Sequence, residues 1–172
     1  MSGAAPLATI KVGVLAERRK ASSQWIDHVW RPLAALAGAP AAAPWTVVEE
    51  AGETTTFYAG AAEVALYRNE TGNYRDNLAS GAPKLWVVLR PTGVDPAYEL
   101  IAVTADPSEG EAFTEAGNDL VEPVPMPDAV RDALAAFVAE HHVERPFYKR
   151  KRKAADPDAL AQRPRGKEDD RE

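Results

Sequence analysis

The chain has 172 residues, with 26 Asp/Glu against 20 Lys/Arg, a formal net charge of −6 and no cysteine. That length suits one domain plus a tail, and the lack of cysteine excludes disulfides, thiolate metal sites and a cysteine nucleophile within it. The charge is unevenly placed: residues 145–172 hold ten Lys/Arg and six Asp/Glu, so residues 1–144 sum to −10.

An acidic body opposes nucleic-acid binding, which depends on cations displacing counterions from phosphates. No apolar run is long enough to span a bilayer. The segment Met1–Ala8 has no basic stretch ahead of an apolar one, which argues against a signal peptide. The expected location is the cytoplasm.

Residues 7–17 alternate, with Ile10, Val12 and Val14 on one face, and predict a half-buried strand. Arg18 to Ser23 reads as a polar connection. Residues 24–36 place Trp25, Ile26, Val29, Trp30 and Leu33 at helical spacing, but Pro32 would remove a donor from a helix interior. A strand or bulged strand with Pro32 at a sheet edge fits better. Gly38–Pro44 is a loop. Trp45–Glu50 and Glu53–Tyr58 predict a hairpin turning at Ala51-Gly52, and Ala62–Arg68 a further strand.

Thr71–Ser80 predicts a short helix with Tyr74 and Leu78 on one face. Lys84–Arg90 is the most apolar run and reads as a central strand buried on both faces, with Tyr98–Thr104 returning antiparallel to it. Asp106-Pro107-Ser108-Glu109 has the marks of a helix start: an acceptor for orphan N–H groups, proline at the first position and a Glu to complete a capping box. That helix ends at Gly117. Val121–Pro127 is extended. Asp128–His142 is a helix with Val130, Leu134, Phe137, Val138 and His141 on one stripe, and Pro146 stops it.

Seven strands without regular strand–helix alternation exclude a doubly wound parallel sheet. The expected fold is α+β: a curved, mainly antiparallel sheet or partly closed barrel, with a C-terminal helix over it. Residues 7–147 form the single domain, and residues 148–172 a charged, disordered tail.

No catalytic set emerges. His141 and His142 are helix neighbours about 100° apart and do not easily share an ion; with His28 they invite, but do not support, a metal site. Glu49-Glu50, Glu109 with Glu111, and Asp169-Asp170 are surface acids without an acid–base companion. No dinucleotide, P-loop or nucleophile-elbow glycine pattern occurs. Trp25, Trp30, Trp45 and Trp86 lie in apolar segments and are expected in the core. Arg75, Asn77 and Arg90 are candidates for a polar pocket, against an ordinary surface reading. The strongest binding candidates are Arg145, Phe147, Tyr148, Lys149, Arg150, Lys151, Arg152 and Lys153, five consecutive cations beside two aromatic rings, suited to anchoring a partner. No cofactor is expected.

Several segments together resemble a known family: Val12–Arg19, Trp25 with Trp30, Tyr74-Arg75-Asp76-Asn77-Leu78, Leu85–Arg90, Val121–Pro127 and the closing His141–Phe147. The resemblance is to an uncharacterised family of short proteobacterial proteins, commonly encoded beside formate dehydrogenase genes. It implies a non-catalytic accessory protein for assembly, cofactor loading or regulation of a molybdenum-dependent formate dehydrogenase, with a dehydrogenase subunit or maturation factor as partner. Some such proteins carry the label molybdopterin-guanine dinucleotide biosynthesis protein A, which implies the alternative of a molybdenum-cofactor enzyme or nucleotide binder. That transferase opens with a Leu-Ala-Gly-Gly phosphate loop. Here Glu17 stands where glycine would permit close phosphate approach, and it adds a negative charge.

Overall fold

The structure, a computed structural model, describes residues 4–144. Contacts divide the chain into a compact unit, Met1–His142, and a second unit, Val143–Glu172. The predicted tail from residue 148, its disorder and its boundary lie outside the described residues.

Among the described residues, seven strands and three α-helices follow in the order β1 (Ala8–Lys20), β2 (His28–Ala37), β3 (Thr46–Ala51), β4 (Thr54–Leu66), α1 (Thr71–Ala79), β5 (Lys84–Pro91), β6 (Tyr98–Thr104), α2 (Pro107–Glu115), β7 (Leu120–Pro125) and α3 (Asp128–His141). They build two antiparallel sheets, ordered β2-β1-β4-β3 and β6-β5-β7. β4 lies against β6 and β2 against β7, but no ladder joins the sheets, so the barrel stays open. The fold is α+β with a C-terminal helix.

The core sits between the sheets. Val12 and Val14 of β1, Val64 and Leu66 of β4, and Leu85, Val87 and Leu89 of β5 all lose their solvent there. Helices α1 and α3 add Tyr74, Val130, Leu134 and Phe137. β5 is buried on both faces as expected, because Trp86 points away from the core and meets α2 at Gly110. A Cβ on Gly110 would lie 2.5 Å from Trp86 Cγ, so only glycine lets α2 approach this closely.

Several predicted boundaries shift for identifiable reasons. Arg18-Arg19-Lys20 is not a connection: it continues β1, paired with Trp30, Val29 and His28 on one side and with Thr55 and Thr54 on the other. The two strands expected over 53–58 and 62–68 are one, β4, which bends at Gly60 (φ +131°) opposite a register shift in β1. Glycine supplies the left-handed backbone that lets the strand turn without breaking. Pro32 does sit on an edge strand, and the register shift beside it leaves Leu33 unmatched, a bulge.

The stretch expected only to be extended is β7, an edge strand whose Pro123 and Pro125 need no inner partner. The β3–β4 turn falls on Gly52-Glu53, with Gly52 at φ +61°, one residue later than expected. Helix α3 ends at His141, with His142 as its cap.

Asp106 caps α2 as predicted, accepting from Ser108 N. Glu109 does not complete the capping box. It instead accepts a hydrogen bond from Thr104 Oγ1 at 3.0 Å, because that hydroxyl already accepts from Asp106 N and holds its proton toward Glu109.

Candidate functional site

The β1–β2 and β3–β4 hairpins end side by side. Ala21 N donates to Asp27 O, closing the first loop, and Lys20 N donates to Glu53 O at 3.0 Å, tying the two ends together. Apolar side chains crowd this end without being covered. Trp25 is 86% exposed, Ile26 57% and Val29 54%; Val47 and Val48, also exposed, stand apart on the opposite edge strand, away from the β3–β4 turn. Exposed apolar residues in such a cluster mark contact sites in soluble proteins.

Beneath the tips lies an aromatic group. Trp30 stacks on Phe57 at 5.5 Å between centroids, meets Trp45 edge-on at 5.8 Å and touches Tyr98 at 5.7 Å. The register explains the cluster: Ala16 is level with Phe57 and Pro32, and Arg18 with Trp30, so these side chains share one face of the sheet. The Arg18 guanidinium stands 5.1 Å from the Phe57 centroid and 5.7 Å from that of Trp30, a cation–π arrangement. Trp45 has φ +67°, a backbone region costly for a bulky residue. Its ring, against Trp30 and Phe57, compensates by packing, and strain of this kind concentrates where side-chain placement matters.

The opposite face carries charge. Arg31 donates to both carboxylate oxygens of Glu17, at 3.0 and 3.2 Å, and Arg19 lies 3.5 Å from the same group. The Arg31 hydrogen bond holds the Glu17 carboxyl below the usual range, with burial opposing it. These residues and Val29 line a cavity of about 290 Å³. The aromatic rings with Arg18 on one face and the arginines on the other are residue types enriched at protein contact surfaces.

The residues singled out from sequence are distributed differently from expectation. Trp25 is not in the core but at a loop tip. Trp30, Trp45 and Trp86 are half-buried. Asn77 lines no pocket: it is buried and staples α1 to the sheet, donating to Lys84 O and Ala105 O and accepting from Lys84 N. Arg90 is held by Asp119 through two bonds of 3.0 and 2.9 Å. His141 packs on Phe137. His142 lies 2.9 Å from Thr71 Oγ1 and 3.2 Å from an Arg75 nitrogen, which fastens the end of α3 to α1. Arg145, Phe147, Tyr148 and the run Lys149 to Lys153 lie outside the described residues.

A second concavity, of about 490 Å³, is lined by Tyr67, Asn69, Glu70, Asp106, Ser108 and Glu109 among others. Burial and the neighbouring Asp106 carboxyl push the Glu70 carboxyl upward. The polar groups here bond to one another and to α2: Asn73 Nδ2 donates to Glu70, and Ser108 N to Asp106. Among the described residues no group of three or more His, Asp or Glu has a metal-holding arrangement.

Residues 13–20, where a nucleotide-binding loop would stand, are continuous strand, with ladder partners on both sides over residues 13–19. Their backbone N–H groups serve the sheet, and no glycine-rich turn forms there.

The family described as a protein of unknown function (DUF3305) matches residues 11–152. The chain belongs to this family. No curated protein and no solved structure matches the chain. The family match runs from within β1 through α3, including both hairpin tips that form the exposed end.

Proposed function

We propose that this member of the DUF3305 family is a non-catalytic accessory protein. It acts by protein contact in the assembly, cofactor loading or regulation of a molybdenum-dependent formate dehydrogenase, in the cytoplasm. The observation that carries the contact reading is the uncovered hairpin end, where Trp25, Ile26 and Val29 are each more than half exposed. Leaving such side chains in water is unfavourable by roughly 1.5–3 kcal/mol each relative to full burial, and a partner that covers them recovers part of that. The link to formate dehydrogenase rests on the resemblance drawn from the sequence segments above. No helix among the described residues is long and apolar enough to cross a membrane, and the contact surface faces water.

The test is affinity capture with the full-length chain from its native host, alongside deletion of its gene. Recovery of formate dehydrogenase subunits or cofactor-insertion factors, with reduced formate oxidation in the deletion strain, is the expected result. Recovery of neither, with unchanged formate oxidation, contradicts the proposal.

A further inference from the structure

β3 is the last strand of its sheet, and among the described residues only β4 pairs with it. All six of its residues are exposed. The other sheet edges are guarded. β7 carries Pro123 and Pro125, β2 carries Pro32 and lies against β7, and β6 lies against β4. β3 has neither proline nor lysine; of the usual edge devices it carries two acidic side chains and a bulge at Val48. Its outward N–H and C=O groups are a template for another strand.

The side chains say which strand. Glu49 is level with Thr56 and Glu50 with Thr55, so the two acids project from opposite faces, and Glu53 follows in the turn. A second copy pairing β3 against β3 would set these acids against one another, which is unfavourable. A cationic strand would meet them with opposite charge on both faces. Val47 and Val48 offer apolar contact at the other end of the strand. We infer that the outer edge of β3 accepts an extended segment of a partner polypeptide, with Lys or Arg facing Glu49 and Glu50 and an aliphatic residue beside Val47 and Val48. The inference rests on the protein-contact reading and adds its mode, strand addition. The competing interpretation is that the acids only guard the edge, with no occupant.

The test uses the full-length chain and a capped peptide of about eight residues, a typical strand length, with an adjacent Lys-Lys pair toward one end and a Val-Val pair toward the other, so that cations stand on both faces. A second peptide has the same sequence with every other amide N-methylated, which removes ladder donors and keeps the charge. The first peptide should bind and slow amide exchange in Thr46–Ala51 roughly tenfold. N-methylation should weaken binding roughly tenfold or more. Glu49→Gln with Glu50→Gln should weaken it and flatten its salt dependence.

Equal binding of both peptides overturns the inference, as do peptide-induced protection confined to other segments and outward-facing β3 amides already protected in the free chain. Self-association that protects β3 as concentration rises also overturns it, in favour of a second copy. If β3 fails but capture of the proposed partner persists, only the edge inference falls. Loss of that capture as well removes the contact reading beneath it.

Discussion

The dipeptide Val-Val occurs in two strands with opposite fates. In β5, Val87 and Val88 are fully buried, while in β3, Val47 and Val48 are about half exposed. The side chains and their β-preference are the same. What differs is position. β5 is the middle strand of its sheet, with the core on one face and α2 on the other, whereas β3 is an edge strand at the end of the long hairpins. Stability is concentrated around β5 and the helices. The β2–β3 end instead keeps apolar surface available.

That contrast can be broken from the β5 side first. Leu134 is fully buried in the core, so Leu134→Ala should cost about 2–5 kcal/mol, from lost transfer energy plus a cavity, read by chemical denaturation. Asn77→Ala should follow, at about 2 kcal/mol. It leaves the Lys84 and Ala105 carbonyls and the Lys84 N–H without their partner. Gly110→Ala should cost about 1–3 kcal/mol, because the new methyl meets Trp86. Trp86→Ala removes the Cγ and Cδ1 that the methyl meets, so Gly110→Ala should cost less in that background than in the parent.

The pH dependence sharpens the same region. Burial pushes the Tyr74 phenol from its ordinary 10.0 up to about 12, with the hydrogen bond from Tyr67 N opposing and nearby carboxylates adding to the rise. Its folded-state value lies above the unfolded one. The contribution is therefore complete below about pH 10 and is lost as pH climbs toward 12. Alkaline denaturation should steepen across that window, and Tyr74→Phe should flatten it.

Much of the buried half was legible in the sequence. The apolar run of β5, the caps of α2 and the stripe of α3 each state their own structure, because burial there follows from local pattern. The errors gather where local pattern is silent. Arg18-Arg19-Lys20 looks like a loop because its polarity is that of a strand end projecting into water. Gly60 looks like a break and is a bend. Glu109 fits a capping box, yet the Thr104 hydroxyl, supplied by the end of β6, claims it.

The contact surface was the least readable part. Trp86 lies in the apolar run Leu85–Leu89, whereas Trp25 stands among Ser22, Ser23, Gln24, Asp27 and His28, a polar context that fits the loop tip where it is found. The acidic pair Glu49-Glu50 was visible as a pair, but its placement on a sheet edge without proline or lysine needed the strand order. The signal available earlier was Pro32, which marks β2 as an edge and so hints that the hairpin beside it projects.

The smallest expected effect on stability belongs to the exposed end, and there the central claim is most directly tested. Trp25→Ser with Ile26→Ser should leave the unfolding free energy within about 0.5 kcal/mol of the parent, since neither side chain is buried. The measurement is capture of formate dehydrogenase subunits or maturation factors by this double variant and by the parent at matched concentration. The account predicts parent-like unfolding with capture abolished. Parent-like unfolding with undiminished capture would contradict it, because the uncovered rings would then hold nothing.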